Sequence, residues 1–383
     1  MRIFKWVLGV VVLFLLYGYY HLFLSIDPSY TDLDPDIEIT AVRISDRPVI
    51  FQALDSLLIS DSIRYGYTNI NGPSLLKVPD WIADPLGKYY LYFAHHKGEQ
   101  IRMAYSDTIT GPYKLYPKAV LHLSNSTMAQ SSSEPTGFAE LTKYAQWMEI
   151  KALLALSEST QQAYKEKLGD KGGDQRFTQP HIASPDVFDI PSLQKLKMTF
   201  HGVVEGSLQM TKYATSDDGL DFQAFDKVLG LPYMRSWEVR NRRFALGMPG
   251  ILYKEIDGDY WPRKRWLLDT DIRHSAALVR GDHLLLCYSR VGDKPEHILC
   301  STIDITDTWD TWHASPPISI LLPELDWEGG NLAHSSSVRG EVEKTVRQLR
   351  DPYLYEENGK VYLFYTGGGE RAIGIIELKL SGI

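Results

Sequence analysis

Five times after residue 60 the chain repeats one order of segments. An extended run comes first, then a turn, then a strand rich in Tyr and Phe, then a further strand. The copies fall at 71–78, 88–96 and 100–107; at 181–188, 197–202 and 209–217; at 233–239, 243–248 and 250–254; at 273–279, 283–290 and 297–303; and at 350–355, 360–367 and 372–378. The runs are too short, and too rich in β-branched and aromatic residues, for helices. Aromatics make up 12% of the chain, with 23 Tyr, which agrees with β structure. Short antiparallel sheets repeated around an axis avoid long exposed edges. The expected fold is therefore all-β: a five-bladed β-propeller over residues 61–383.

Two segments break the pattern. Between the first and second copies, Phe138 to Leu168 is rich in Ala, Glu, Leu, Lys and Gln with no Gly or Pro, and Gly172-Gly173 can end it. A helical insertion at about 130–175 is expected, and it is a candidate contact for a protein partner. At the N-terminus, Val7 to Leu24 is almost wholly apolar. With Trp6, a helix of this length spans roughly 28 Å, close to a hydrocarbon core. Arg2 and Lys5 precede it, and Asp27, Asp32, Asp34 and Asp36 follow. This reads as a transmembrane signal anchor over 1–26, N-terminus in the cytoplasm and propeller outside. Residues 27–60, acidic and Pro-containing at first, read as a linker and the start of the propeller.

Charge excludes one partner class. There are 40 Lys and Arg against 48 Asp and Glu, a net charge of −8, which repels a phosphate backbone, so no nucleic acid partner is expected. No GxSxG, P-loop, dinucleotide fingerprint or EF-hand is present. Only two cysteines occur. Cys287 and Cys300 are placed to face each other across a hairpin, as a disulfide or as two buried thiols.

In a propeller the innermost strands line a central funnel, so polar residues within those apolar patterns are the candidates for chemistry. His95 and His96 end the second strand of copy one, and His201 ends the matching strand of copy two. His181 and His274 begin inner strands. Five of the 11 histidines thus sit at equivalent edges. Arg235, Arg273 and Arg350 lie on inner strands and need acidic partners or an anionic ligand. Asp351 and Asp186 are acids of inner strands, and Glu328 lies in an Asp-Trp-Glu-Gly-Gly loop before copy five. Glycoside hydrolysis needs two carboxyl groups flanking one bond. Trp327, beside Glu328, is a candidate to stack on a sugar face and raise the acid's pKa. Spacing supports no metal site among the protein ligands; a calcium or other ion in the channel stays open.

The segments Asn71-Gly-Pro-Ser-Leu-Leu-Lys with Tyr89-Tyr-Leu-Tyr-Phe, and Arg350-Asp-Pro-Tyr-Leu-Tyr with Asn358-Gly-Lys-Val-Tyr-Leu-Phe-Tyr, resemble the five-bladed β-propeller glycosidases. That superfamily includes arabinanases, β-xylosidases and fructosidases. The resemblance covers about residues 65–380, less the insertion. It implies a general-base Asp in an Asp-Pro pair on the first inner strand, where this chain has Gly72-Pro73. It implies a second Asp-Pro on the second blade, here Ser184-Pro185, and a Glu on the third, where Arg235 and Trp237 stand. Only Arg350-Asp351-Pro352 matches. The expectation is a divergent subgroup: a membrane-anchored, extracytoplasmic glycoside hydrolase using Asp351, Glu328 and Asp186, with the histidines and arginines gripping a carbohydrate. A non-catalytic carbohydrate-binding propeller and an envelope scaffold are the alternatives.

Overall fold

The computed structural model describes residues 30–51, 69–131, 179–204, 209–263, 266–269, 271–338 and 340–383. Five antiparallel sheets follow one another along the chain. The inner strands are Asn71–Lys77, Ile182–Ile190, Arg235–Val239, Ile272–Arg280 and Leu349–Glu357 for blades one to five. The second strands are Tyr89–Ala94, Lys195–Val203, Arg242–Gly247, His283–Arg290 and Lys360–Gly367, and a third strand follows each. The recurrence read in the sequence is therefore the blade. Among the described residues no helix is long and apolar enough to cross a membrane. The apolar stretch 7–24 and the expected helical insertion both lie outside the described residues.

Part of the expected linker is a strand. Glu38–Arg43 pairs antiparallel with Ala372–Ser381, from Glu38 opposite Ser381 to Arg43 opposite Ile376. The outer strand of the last blade thus comes from the N-terminal side and covers the edge of Ala372–Ser381. Exposed Glu38, Thr40 and Val42 alternate with half-buried Ile39, Ala41 and Arg43, a period-two pattern that the acidic flank obscured.

Each blade buries both faces against its neighbours. In blade four, Leu284, Leu286 and Tyr288 face blade three, whereas Leu285 and Cys287 face blade five. Tyr90 and Tyr92 meet Met198 and Phe200 of blade two, while Leu91 and Phe93 meet Phe364 and Ile375 of blade five. Leu229, Met234 and Tyr253 fill the junction of blades two and three. Alternate side chains point to opposite faces of a strand, so a strand covered on both reads as an unbroken apolar run. Full burial of each such side chain stabilises the fold by roughly 1.5–3 kcal/mol. Cys287 and Cys300 sit in register on adjacent strands and form a disulfide.

Candidate functional site

The inner strands share an irregularity that builds the site. Pairing register slips between Asn71 and Ser74, Ala183 and Asp186, Ile272 and Ser275, and Arg350 and Tyr353: the same place in blades one, two, four and five. Within three of these bulges a residue has left-handed backbone: Gly72 (φ +59°), Ser184 (φ +50°) and Asp351 (φ +49°). In blade three Tyr233, two residues before the inner strand, has φ +62°. A bulge re-aims a side chain away from the normal alternation. Packing of the inner strands around the ring brings these positions together. A Cβ at residue 72 would lie 2.8 Å from Ser184 Cα, so the first blade has no room there for the acid that the resemblance implies.

Around this point lies one buried polar cluster. The Tyr233 ring centre is 4.0 Å from those of both His201 and His274, and its hydroxyl is 3.5 Å from His96 Nε2. His181 meets His201 edge-on at 5.6 Å. His274 Nδ1 pairs with Asp351 Oδ1, and its Nε2 is 3.3 Å from Ser184 Oγ. Asp351 Oδ2 accepts from Thr366 Oγ1 at 3.1 Å. A second carboxylate, Glu370, stands opposite His96: its Oε2 is 3.3 Å from His96 Nδ1 and 2.5 Å from Asn69 Nδ2, and its Oε1 accepts from Arg350 at 3.0 Å. Asn71 Nδ2 is 3.1 Å from His96 Nδ1. Among the described residues neither ring nitrogen of His201, nor Nε2 of His181, has a hydrogen-bond partner. Buried polar atoms are normally satisfied, so these nitrogens are open to a further polar partner.

Burial sets the charge states. It drives His181 down to about 3, with Lys97 adding to the effect, and pushes His201 well below the ordinary value, helped by His181 and His274. His274 is lowered too, because burial outweighs Asp351. At neutral pH these three imidazoles are therefore neutral. Burial alone would raise Glu370, but His96, Arg350 and Asn69 outweigh it and hold the carboxylate well below its usual range.

The three arginines are all paired. Arg235 donates to Pro185 O at 2.5 Å and Pro73 O at 3.0 Å and lies 3.4 Å from Asp186 Oδ1, while Asp186 Oδ2 accepts from Ser236 N at 2.9 Å. This unit ties the inner strands of blades one, two and three. Burial raises the Asp186 pKa against the opposing pull of Arg235. Arg273 and Arg350 share Glu296, at 2.8 and 3.1 Å, and Ser289 Oγ donates to the same carboxylate at 2.7 Å. The arginines thus brace the ring behind the histidines rather than presenting free charge.

Glu328 and Trp327 lie elsewhere. Glu328 Oε1 is 2.7 Å from Arg43 and accepts from Tyr365 Oη at 2.6 Å; its Oε2 accepts from Arg43 at 3.0 Å and from Glu324 N and Leu325 N at 2.8 and 3.0 Å. The loop that carries Glu328 begins with a short 3-10 turn, Asp326–Glu328. Trp327, half-buried, packs over Gly367 and Gly374 and stacks on Tyr365 at 5.7 Å. His95 turns onto its own loop, its Nδ1 accepting from Lys97 N at 3.2 Å. Sequence reasoning passed over Tyr233, Ser184, Glu296 and Glu370. Glu370 follows Gly367-Gly-Gly after the second strand of blade five, the edge that holds His95, His96 and His201 in other blades, and that equivalence was the available signal.

Among the described residues no group of three His, Cys, Asp or Glu side chains is placed to hold a metal ion. No family profile matches the chain. It is 26% identical over 363 residues to Uncharacterized protein R118 of Acanthamoeba polyphaga mimivirus, covering 88% of this chain and 89% of that one. Among solved structures it is similar to a thermostable family-43 glycoside hydrolase, with 14% identity, coverage of 82% of this chain and 93% of that one, and a TM-score of 0.48. It is also similar to a β-xylosidase/α-arabinofuranosidase from a compost microbial metagenome, in complex with xylotriose, with 11% identity, coverage of 81% and 91%, and a TM-score of 0.49. The chain's own five sheets place it among five-bladed propellers, and its side chains depart from the glycosidase pattern at blades one to three.

Proposed function

We propose that the protein is a glycoside hydrolase whose sugar enters the axial hollow, with Asp351 and Glu370 as its carboxyl pair. The observation that carries this reading is the convergence of His201, Tyr233, His274 and Asp351, from four blades, on one buried polar cluster. Imidazoles with unused nitrogens and buried carboxylates suit the dense hydroxyls of a sugar. Glycosidic cleavage takes two carboxyl groups about one bond. Asp186 and Glu328 bond Arg235 and Arg43, whereas Asp351, paired with His274, and Glu370, bonded to both Arg350 and His96, are the carboxylates that touch the histidines of the cluster. Glu370, held ionised, would face the positive charge that develops on the sugar. The apolar stretch 7–24 would anchor the propeller outside a membrane, and the Cys287–Cys300 disulfide supports an oxidising compartment.

Gly72, in place of an acid, favours a second reading: a pocket that binds a glycan without cleaving it. One experiment separates the two. The purified protein is incubated with a panel of oligosaccharides that includes xylotriose, and sugar release and affinity are measured. Hydrolysis predicts release that falls about 10³-fold in Asp351→Asn and Glu370→Gln. Binding alone predicts affinity without release. A folded protein that neither binds nor cleaves any member contradicts both.

A further inference from the structure

We propose that Ser184, His274 and Asp351 form a nucleophile, base and orienter, and that the axial hollow hydrolyses an acyl ester carried on a sugar. The sugar rests on the function proposed above; the chemistry rests on these three residues alone. Ser184 Oγ is 3.3 Å from His274 Nε2, and His274 Nδ1 is paired with Asp351 Oδ1. The three side chains come from blades two, four and five and are all buried. They follow the order that an activated serine requires, with one imidazole nitrogen on the hydroxyl and the other on a carboxylate.

The tautomer follows from the pairing. With Asp351 Oδ1 as the acceptor of the pair, Nδ1 carries the proton and Nε2 keeps the lone pair for the Ser184 hydroxyl. Burial keeps the imidazole neutral, the state a base needs. Ser184 takes a left-handed conformation that an ordinary residue adopts only under strain. Pro185 follows it, and Gly72, with no side chain, leaves the neighbouring space clear.

In the first half-reaction Ser184 Oγ bonds to the acyl carbon, and its proton passes to His274 Nε2. The ester C–O bond then breaks, and the sugar oxygen leaves with that proton. Water attacks the acyl-serine, gives a proton to His274, and releases a carboxylic acid as Ser184 recovers its hydrogen. Pro185 has no N–H, so the residue after the nucleophile cannot meet the oxyanion. Side-chain donors of the same cluster, Asn71 Nδ2 and Tyr233 Oη, are the groups for that task.

The test uses the wild-type protein, with folding shown by circular dichroism. It is treated with diisopropyl fluorophosphate and mapped by mass spectrometry; turnover of p-nitrophenyl acetate, an acetylated xylo-oligosaccharide and a p-nitrophenyl xyloside is followed on the same preparation. The triad predicts one label, on Ser184. It predicts ester turnover abolished in Ser184→Ala and cut by about 10⁴-fold in Asp351→Asn, as for the loss of the orienting carboxylate in other triads. No label on the folded protein, a label on another serine, or ester turnover that survives Ser184→Ala overturns it. Xyloside cleavage without ester turnover overturns the triad and leaves the glycosidase reading standing. Ester turnover without cleavage of any glycoside supports the triad and contradicts that reading.

Discussion

At the scale of single residues, the site is defined as much by what is missing as by what is present. Gly72 occupies a left-handed position and abuts Ser184 Cα, so any side chain there meets both backbone strain and a close contact. Gly72→Ala is expected to cost about 2–3 kcal/mol, read as a lower urea midpoint at unchanged slope. A midpoint equal to that of the wild type would show that the hollow is looser than the structure has it. The inner-strand runs made the bulge positions findable, because Gly-Pro, Ser-Pro and Asp-Pro recur at one offset. The partners of those residues were not legible. Nothing in the sequence says that His274 meets Asp351 or that Glu296 takes both Arg273 and Arg350, because these pairs form only when separate blades close on one axis.

At the scale of elements, the closing strand is the part most exposed to loss. Arg43 ends that strand and grips Glu328 with two nitrogens, joining the N-terminal strand to the turn before blade five. Removing one partner leaves the other charge stranded, one on Glu328 in the interior and the other on a mostly buried Arg43. Glu328→Ala is therefore expected to destabilise by about 3 kcal/mol, while activity per folded molecule stays at the wild-type level. Thermal melts and rates corrected for folded fraction check this. A stable variant with lost activity would return Glu328 to the chemistry. The acid beside Trp327 looked catalytic in the sequence, since an acid beside an aromatic serves a latch and an active site equally well. The same limit hid the strand Glu38–Arg43, whose six residues carry a β pattern too short to stand out from an acidic flank.

At the scale of the molecule, the ring concentrates neutral imidazoles in its buried interior. His181, His201 and His274 all have folded pKa values below the ordinary 6.5. Below about pH 6.5 the unfolded chain takes up protons that the folded chain refuses, and stability falls. The contribution of these groups is complete above about pH 6.5 and is lost as pH drops toward 3, the folded value of His181. The central claim, that one buried axial cluster holds these residues together, is tested most directly by the ring nitrogen signals of the histidines. Long-range proton–nitrogen NMR spectra, recorded from pH 8 down to the acid limit of the folded state, should show His181 and His201 neutral throughout. Cross-relaxation from His201 and His274 should reach a single tyrosine ring, that of Tyr233. Titration of His181 and His201 near 6.5, with no shared tyrosine, would contradict the account.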